Sequence, residues 1–338
     1  MGTYLRVVML LLVLGGVVLF SAEAMAVEKC INSKIAAKKT VVKQSSKKAQ
    51  ALPKKKTQLA QIAKPIVSQP VLDKLNLQSG AALVLEQHTS KAIFQKNAAQ
   101  VMPIASLTKV MTAMVVLDGS PDLHAPITIT DDDIDYLRGS SSRLPVGSII
   151  PRETALLLAL MSSENRAANA LGRHYPGGMQ AFLAAMNRKA RALGMADSHF
   201  EDPTGLTSRN VSTAYDLAKM VAAAHGYALI RELTTNPESK INIDGRELVY
   251  RNTNPLVRNA GWDVGLSKTG YISEAGKCLV MQAQLAEKPV VIVLLDSVGS
   301  MTRVGDANRI KRWMETVQTA NKQPMHTVTT QITKRQQS

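Results

Sequence analysis

Ser106 and Lys109, three residues apart in "PIASLTKVMTAMVV", stand where a polar start gives way to an apolar run that reads as a helix. Residues i and i+3 share one face of a helix. A hydroxyl is a poor nucleophile until a base takes its proton, and a lysine kept neutral by burial or by a second cation can be that base. The chemistry on offer is acyl transfer through a serine. The structural alternative is an N-cap for Ser106 and a solvent-facing charge for Lys109. The same S-x-x-K spacing recurs at Ser45 and Lys48, in a lysine-rich stretch without apolar period, so context has to separate the two copies.

Two more short motifs follow. Ser163-Glu164-Asn165 lies just past "ALLLALM", with a second S-x-N at Ser208-Arg209-Asn210 in a region of turn chemistry. Ser and Asn are poor helix-interior residues, so Ser163 and Asn165 read either as a polar helix end or as two side chains facing a cleft, with Glu164 pointing away. Lys268-Thr269-Gly270 occurs once, inside a β-rich run. Strand alternation sends Lys268 and Thr269 to opposite faces unless the strand borders an opening. Gly270 would let a substrate backbone approach closely. The alternative is an exposed edge strand that carries a lysine.

The elements that must hold these groups are legible in outline. "GAALVLEQHTSKAIFQKN" predicts a hairpin of strands 81–86 and 92–95 around a turn at His88, Thr89 and Ser90. A helix is expected over 107–117, ended by Asp118-Gly119 and Pro121, and the middle of the chain carries apolar residues at helical spacing. Beyond Lys240, "RELVYRN", "VGLSKTGYI", "KCLVMQAQL" and "PVVIVLLDSV" predict strands, the last two joined by a turn at Glu287-Lys288, and a final helix covers roughly 303–317. Early strands, a helical middle, late strands and a terminal helix imply an α+β fold. In it one antiparallel sheet is flanked by helices, a helical subdomain is inserted, and the chemistry falls at the seam.

The chain has 338 residues and a formal charge of +15. Its first 26 residues combine Arg6, an apolar run from Val7 to Phe20 and the triplet Ala24-Met25-Ala26, which reads as a secretory signal peptide cut after Ala26. Residues 27–69 hold eleven lysines against one glutamate and read as a flexible linker, either a solvated spacer or an electrostatic attachment to anionic wall or membrane. The folded domain is expected over 70–321, with a polar tail over 322–338. Because the charge sits at the ends, the basic balance does not point to nucleic acid. Two cysteines, Cys30 and Cys278, make no disulfide framework and read as unpaired. The six histidines lack ligand spacing, so neither a metal site nor a cofactor is expected.

S-x-x-K, S-x-N and K-T-G in that order, in helix, helix-end and strand contexts, form the joint signature of penicillin-binding proteins and class A β-lactamases. Together with "MPIASLTKVMTAMVVLD", "LLLALMSSENRAANALGRHYPGG", "DPTGL", "NVSTAYDLAKM", "RNTNPLV" and "LSKTGYISEAGKCLVM" over about residues 75–320, the chain resembles a low-molecular-mass penicillin-binding protein. Within that group it is most similar to the periplasmic D-alanyl-D-alanine endopeptidases. The resemblance implies a β-lactamase/DD-peptidase-like fold, peptidoglycan stem peptides as substrate, β-lactams as covalent inhibitors and a periplasmic location. It implies Ser106, Lys109 and Ser163 as catalytic residues, with Asn165, Lys268, Thr269, Gly270 and Tyr271 binding substrate. Ser106 would be the nucleophile, Lys109 its base and Ser163 a proton relay. Asn165 would touch the substrate amide, Lys268 and Thr269 a carboxylate, and the N–H groups of Ser106 and Tyr271 the oxyanion.

Three competing readings differ in what they need. A class A β-lactamase needs a glutamate four residues before an asparagine for deacylation; here Glu201 is followed four residues later by Gly205. A DD-carboxypeptidase of the membrane-bound type adds a β-rich domain and an amphipathic anchor after the peptidase fold, whereas a short polar stretch follows Lys322. A non-catalytic wall-binding or β-lactam-sensing module would make the lysine-rich linker the working part.

Overall fold

The computed structural model describes residues 75–299 and 301–322. The expectations for the signal segment, the whole of the linker and the tail beyond Lys322 lie outside the described residues. The chain opens with a hairpin of β1 (Ser79–Glu86) and β2 (Lys91–Lys96). A short β3 (Met102–Pro103) leads into a 3-10 turn, Ala105–Leu107, and then α1 (Thr108–Asp118). A small pair, β4 (Pro126–Thr128) with β5 (Ile149–Pro151), precedes α2 (Arg152–Met161), α3 (Asn165–Arg173) and α4 (Gly178–Ala192). β6 (Val211–Ser212) pairs with β3, and α5 (Ala214–Ala224) and α6 (Ala228–Thr235) follow. The hairpin β7 (Glu238–Ile243) and β8 (Arg246–Arg251) leads to β9 (Asp263–Ile272), β10 (Gly276–Leu285), β11 (Lys288–Ser297) and α7 (Thr302–Lys322).

The main sheet is antiparallel in the order β2-β1-β11-β10-β9, so the first strand lies beside the last, with Ser79 opposite Ser297. Period-two alternation gives it two apolar faces. Leu83, Leu85, Val291, Val293 and Leu295 enter the core shared with the helical middle, while Ala82, Val84, Ile292 and Leu294 enter a second core closed by Val304, Ala307, Ile310 and Met314 of α7. Asp306 ties α7 to the start of β1. Its buried carboxylate accepts the Ser79 N–H at 2.8 Å, the Ser79 hydroxyl at 2.6 Å and the Gln78 N–H at 3.1 Å.

The α+β expectation therefore stands, with three local differences. The last helix is longer than the apolar period predicts, reaching Lys322. The strand β7 begins at Glu238, before the β-rich pattern becomes visible, because its outward residues are polar. Ser106 does not cap α1: it lies inside the 3-10 turn, and Leu107 occupies the cap position without a side-chain hydrogen bond. A turn joins β10 to β11 as predicted but one residue earlier, at Ala286 and Glu287 with Lys288 already in β11, and both turn residues take positive φ, as a tight two-residue hairpin demands.

Candidate active site

Ser106 reaches the cleft from a strained turn. Ala105 before it has φ +48, a left-handed conformation that costs a non-glycine residue about 1–3 kcal/mol. The turn is held from two sides by glycines. A Cβ on Gly270 of β9 would lie 3.0 Å from the Ser106 nitrogen, and a Cβ on Gly205 would lie 1.9 Å from the Ala105 carbonyl oxygen. Gly205 also has φ +83, so both its space and its backbone demand glycine.

Lys109 projects from the first turn of α1 and is fully buried. Its Nζ lies 2.8 Å from Ser106 Oγ, 2.7 Å from Asn165 Oδ1 and 2.7 Å from the Thr204 carbonyl oxygen. All three partners are neutral oxygens. Burial brings its pKa down to about 7, although the Asp202, Glu164 and Asp135 carboxylates pull the other way.

Lys268, buried on β9, donates from Nζ to Ser163 Oγ at 2.9 Å and to the Thr269 carbonyl at 2.9 Å. Burial, then the nearby charges of Lys109 and Arg303, push its pKa well below the usual lysine range. A second cation, Lys268, together with partial burial is expected to lower the Lys109 pKa; burial, which is complete, does so, and the cationic pressure falls on Lys268. Thr269 Oγ1 meets Thr253 Oγ1 at 2.6 Å. Strand alternation does not remove either residue from the site, because β9 is the outermost strand of the sheet.

The S-x-N motif forms the opposite wall. Ser163 takes φ +64 between α2 and α3, which turns its hydroxyl toward Lys268. Asn165 opens α3, gives Oδ1 to Lys109 and donates from Nδ2 to Ser140 Oγ at 2.9 Å. Glu164 does not simply point away. Its carboxylate accepts from Ser142 Oγ, and burial raises its pKa. Tyr271, just past Gly270, is exposed, and Lys277 Nζ sits 4.3 Å from its ring centre.

The structure thus brings Ser106, Lys109, Ser163, Asn165, Lys268, Thr269, Gly270 and Tyr271 to one seam between sheet and helices. The Ser208-Arg209-Asn210 copy of S-x-N stays out of it: Asn210 instead orders the neighbouring loop, accepting from the Glu201 N–H at 2.7 Å. Several participants escape the sequence reading. Asp202 accepts the N–H groups of Thr204, Gly205 and Thr207 and so shapes the loop that presents the Thr204 carbonyl. The D-P-T-G run that carries it has a turn signal, but nothing in it announces a contact with a residue almost a hundred positions away. Arg303, in the first turn of α7, donates from Nη1 to the Gly270 carbonyl at 3.0 Å and adds a cation behind K-T-G. His174 has no part in the cleft; its ring sits between the Thr128 N–H and the Ala170 carbonyl.

Comparison with known proteins agrees with this arrangement. Residues 64–299 match the S11 peptidase model, described as D-alanyl-D-alanine carboxypeptidase. The chain is 48% identical over 244 residues to the D-alanyl-D-alanine endopeptidase of Pseudomonas aeruginosa, covering 72% of this chain and 79% of the relative. It is 44% identical over 242 residues to the D-alanyl-D-alanine endopeptidase of Escherichia coli, covering 71% and 78%. Among solved structures, the Streptomyces K15 DD-transpeptidase superposes with a TM-score of 0.65 at 27% identity, covering 70% of this chain and 97% of that one. With motifs, geometry and family model in agreement over most of its length, the chain belongs to the S11 peptidase family of D-alanyl-D-alanine carboxypeptidases.

Proposed function

We propose that this protein is a D-alanyl-D-alanine endopeptidase that cleaves peptide cross-links of peptidoglycan through an acyl-enzyme on Ser106. The observation that carries the reading is the Lys109 amine, buried and 2.8 Å from the Ser106 hydroxyl. A neutral amine has two N–H bonds and one lone pair. Asn165 Oδ1 and the Thr204 carbonyl take the two N–H bonds, which leaves the lone pair for the Ser106 proton.

Ser106 Oγ attacks the D-alanine carbonyl while Lys109 accepts its proton. The oxyanion is held by the backbone N–H groups of Ser106 and Tyr271, one such donor being worth about 3 kcal/mol of barrier. Ser163, hydrogen-bonded to Lys268, passes a proton to the leaving nitrogen. Lys268, Thr269 and Arg303 form the cationic, hydroxyl-bearing end that takes the carboxylate beside the scissile amide. Asn165 keeps one Nδ2–H for a carbonyl of the acyl chain, its other bonding Ser140. Water then releases the acyl group. β-Lactams, which copy the D-Ala-D-Ala shape, acylate the same serine; the two Glu-x-x-x-Asn copies, Glu232–Asn236 and Glu238–Asn242, carry exposed glutamates, so neither supplies a deacylating base and a long-lived adduct is expected.

The names of the relatives in Pseudomonas aeruginosa and Escherichia coli favour endopeptidase over the carboxypeptidase alternative. A leaving group that carries a carboxylate on the amine-bearing carbon suits both reactions, so the two differ in degree. The non-catalytic wall-binding or β-lactam-sensing reading would leave the Ser106–Lys109 geometry without a task. We assign residues 1–26 to export into the periplasm, 27–69 to a flexible lysine-rich linker, a solvated spacer or an electrostatic attachment, and 70–321 to the peptidase domain.

The test is mass spectrometry of products from cross-linked muropeptide dimers mixed with monomeric pentapeptides, with Ser106→Ala as control. Dimers falling to monomers, with a dead control, is the expected result. Loss of terminal D-alanine from pentapeptide alone makes the enzyme a carboxypeptidase, and no change in either overturns the catalytic reading.

A further inference from the structure

Asn165 stands between Lys109 and Ser140, and a side-chain amide is close to symmetric in shape. Its oxygen and its nitrogen differ only in what they bond. Packing cannot choose between the two orientations, least of all here, where a cavity of about 240 Å³ opens beside the side chain. The choice matters to the reaction. With Oδ1 toward Lys109 the amide takes an N–H of the amine, and the lone pair stays free for the Ser106 proton. With Nδ2 in that place the amide would donate to the lone pair and occupy it.

A carboxylate outside the three motifs settles the direction. Asp135, in the loop between β4 and β5, accepts the N–H groups of Leu137 at 3.0 Å, Arg138 at 2.9 Å and Ser140 at 3.0 Å. Burial raises its pKa, but the Ser140 hydroxyl and these N–H groups outweigh burial and hold it below the usual range. An ionised carboxylate only accepts, so Ser140 gives it the one hydroxyl proton and keeps its lone pairs for its other neighbour. That neighbour is Asn165 Nδ2, 2.9 Å from Ser140 Oγ. The amide oxygen is thereby turned to Lys109 Nζ at 2.7 Å, and Nζ lies 2.8 Å from Ser106 Oγ. One row of hydrogen bonds runs Asp135, Ser140, Asn165, Lys109, Ser106, and the carboxylate at its far end sets which group donates at every step.

We propose that Asp135 and Ser140 are positioning residues that fix the Asn165 amide and so keep the Lys109 lone pair on Ser106. The inference rests on the peptidase reading, in which Lys109 is the base. The charged groups that face Lys109 are Asp202 from the loop before β6, Glu164 between α2 and α3, Asp135 itself and Lys268 on β9. Substituting Ser140 leaves all four in place, and Ser140 is exposed, outside the core. The protonated Lys109 needs three acceptors, Ser106 Oγ, Asn165 Oδ1 and the Thr204 carbonyl, whereas the neutral amine tolerates a turned amide. Freeing the amide therefore favours the neutral amine and moves the acid limb of acylation to lower pH. A loosening that merely admits water moves it to higher pH, since burial is what lowers the Lys109 pKa.

The experiment uses the full chain and follows the second-order rate constant of acylation by a fluorescent penicillin against pH. Ser140→Ala is expected to lower the plateau above the limb about fivefold, the worth of one neutral hydrogen bond. Its acid limb moves to lower pH, while Ser140→Thr, which keeps the hydroxyl, stays near the wild type in both respects. Asp135→Asn lowers the plateau by a similar factor, and the double variant Asp135→Asn with Ser140→Ala loses no more than either single one, because both act through one bond. Complete labelling at long times reports that each variant folds. A Ser140→Ala plateau equal to the wild type, a loss with the limb unmoved or moved to higher pH, an equal loss in Ser140→Thr, or losses that multiply in the double variant each overturns the proposal. A wild type that the penicillin does not acylate overturns the peptidase reading, and the proposal with it.

Discussion

The α-carbon of Gly205 lies so close to the peptide between Ala105 and Ser106 that a single methyl there would enter the Ala105 carbonyl group, 1.9 Å from its oxygen and 2.3 Å from its carbon. Ser106 is positioned from outside its own turn, by a loop that also supplies the Thr204 carbonyl to Lys109.

Gly205→Ala is therefore expected to displace the Ser106 turn without removing any catalytic group. A shift of about 1 Å costs roughly a hundredfold in rate. The second-order rate constant for acylation by a fluorescent penicillin measures this, and a variant that acylates at the wild-type rate would contradict the role given to the loop.

The acylation rate should depend on the protonation of Lys109. With its pKa brought down to about 7, the amine is charged below that pH and cannot accept the Ser106 proton. The rate is expected to climb with pH through about 7, falling about tenfold per unit on the acid side. Lys109→Met should abolish that limb together with the activity.

The same lysine sets a pH dependence of stability with the opposite sign to a salt-bridged lysine. Its folded pKa lies below its ordinary value of 10.5, so between about 7 and 10.5 the unfolded chain binds more protons, and stability rises with pH across that window. In Lys109→Met the slope of the denaturation midpoint against pH should be shallower over the same range. An unchanged slope would mean that Lys109 keeps its charge in the fold.

Arg303 donates to the Gly270 carbonyl from behind K-T-G. Arg303→Ala is expected to raise KM about tenfold or more for substrates with a free carboxylate beside the scissile bond, the scale of one charge-assisted bond. An amide in place of that carboxylate should penalise the wild type and hardly affect the variant, which separates carboxylate recognition from general damage.

Asp306 is buried and accepts three hydrogen bonds from Gln78 and Ser79. Asp306→Ala leaves buried donors unpaired, at about 1–3 kcal/mol each. A lower urea midpoint should result, without a change in the pH limb of acylation.

The nucleophile, both lysines and the S-x-N pair were legible because each is a local motif at the boundary of a periodic segment. Ser106 precedes an apolar helix, Ser163 and Asn165 follow one, and Lys268 lies in a β-rich run. What stayed hidden is what tertiary structure alone creates. Thr204 acts through its backbone carbonyl, Asp202 and Gly205 act by shaping the loop that presents it, and Arg303 reaches Gly270 only because β11 and α7 fold back on the sheet. Burial of Lys109 goes further than the partial burial expected from the sequence, for a similar reason. A neighbouring cation can be guessed from motifs, but complete burial depends on helices whose packing the sequence does not display.

The pairing of the first strand with the last has a consequence for how the protein comes into being. β1 pairs with β2 at once but cannot find its other neighbour, β11, until residue 297 has been made, and Arg303 arrives later still. Contacts this distant in sequence close slowly. A chain still emerging from a ribosome thus holds Ser106 but lacks the wall that would make it reactive, and the site is complete only once the chain has been made through Arg303.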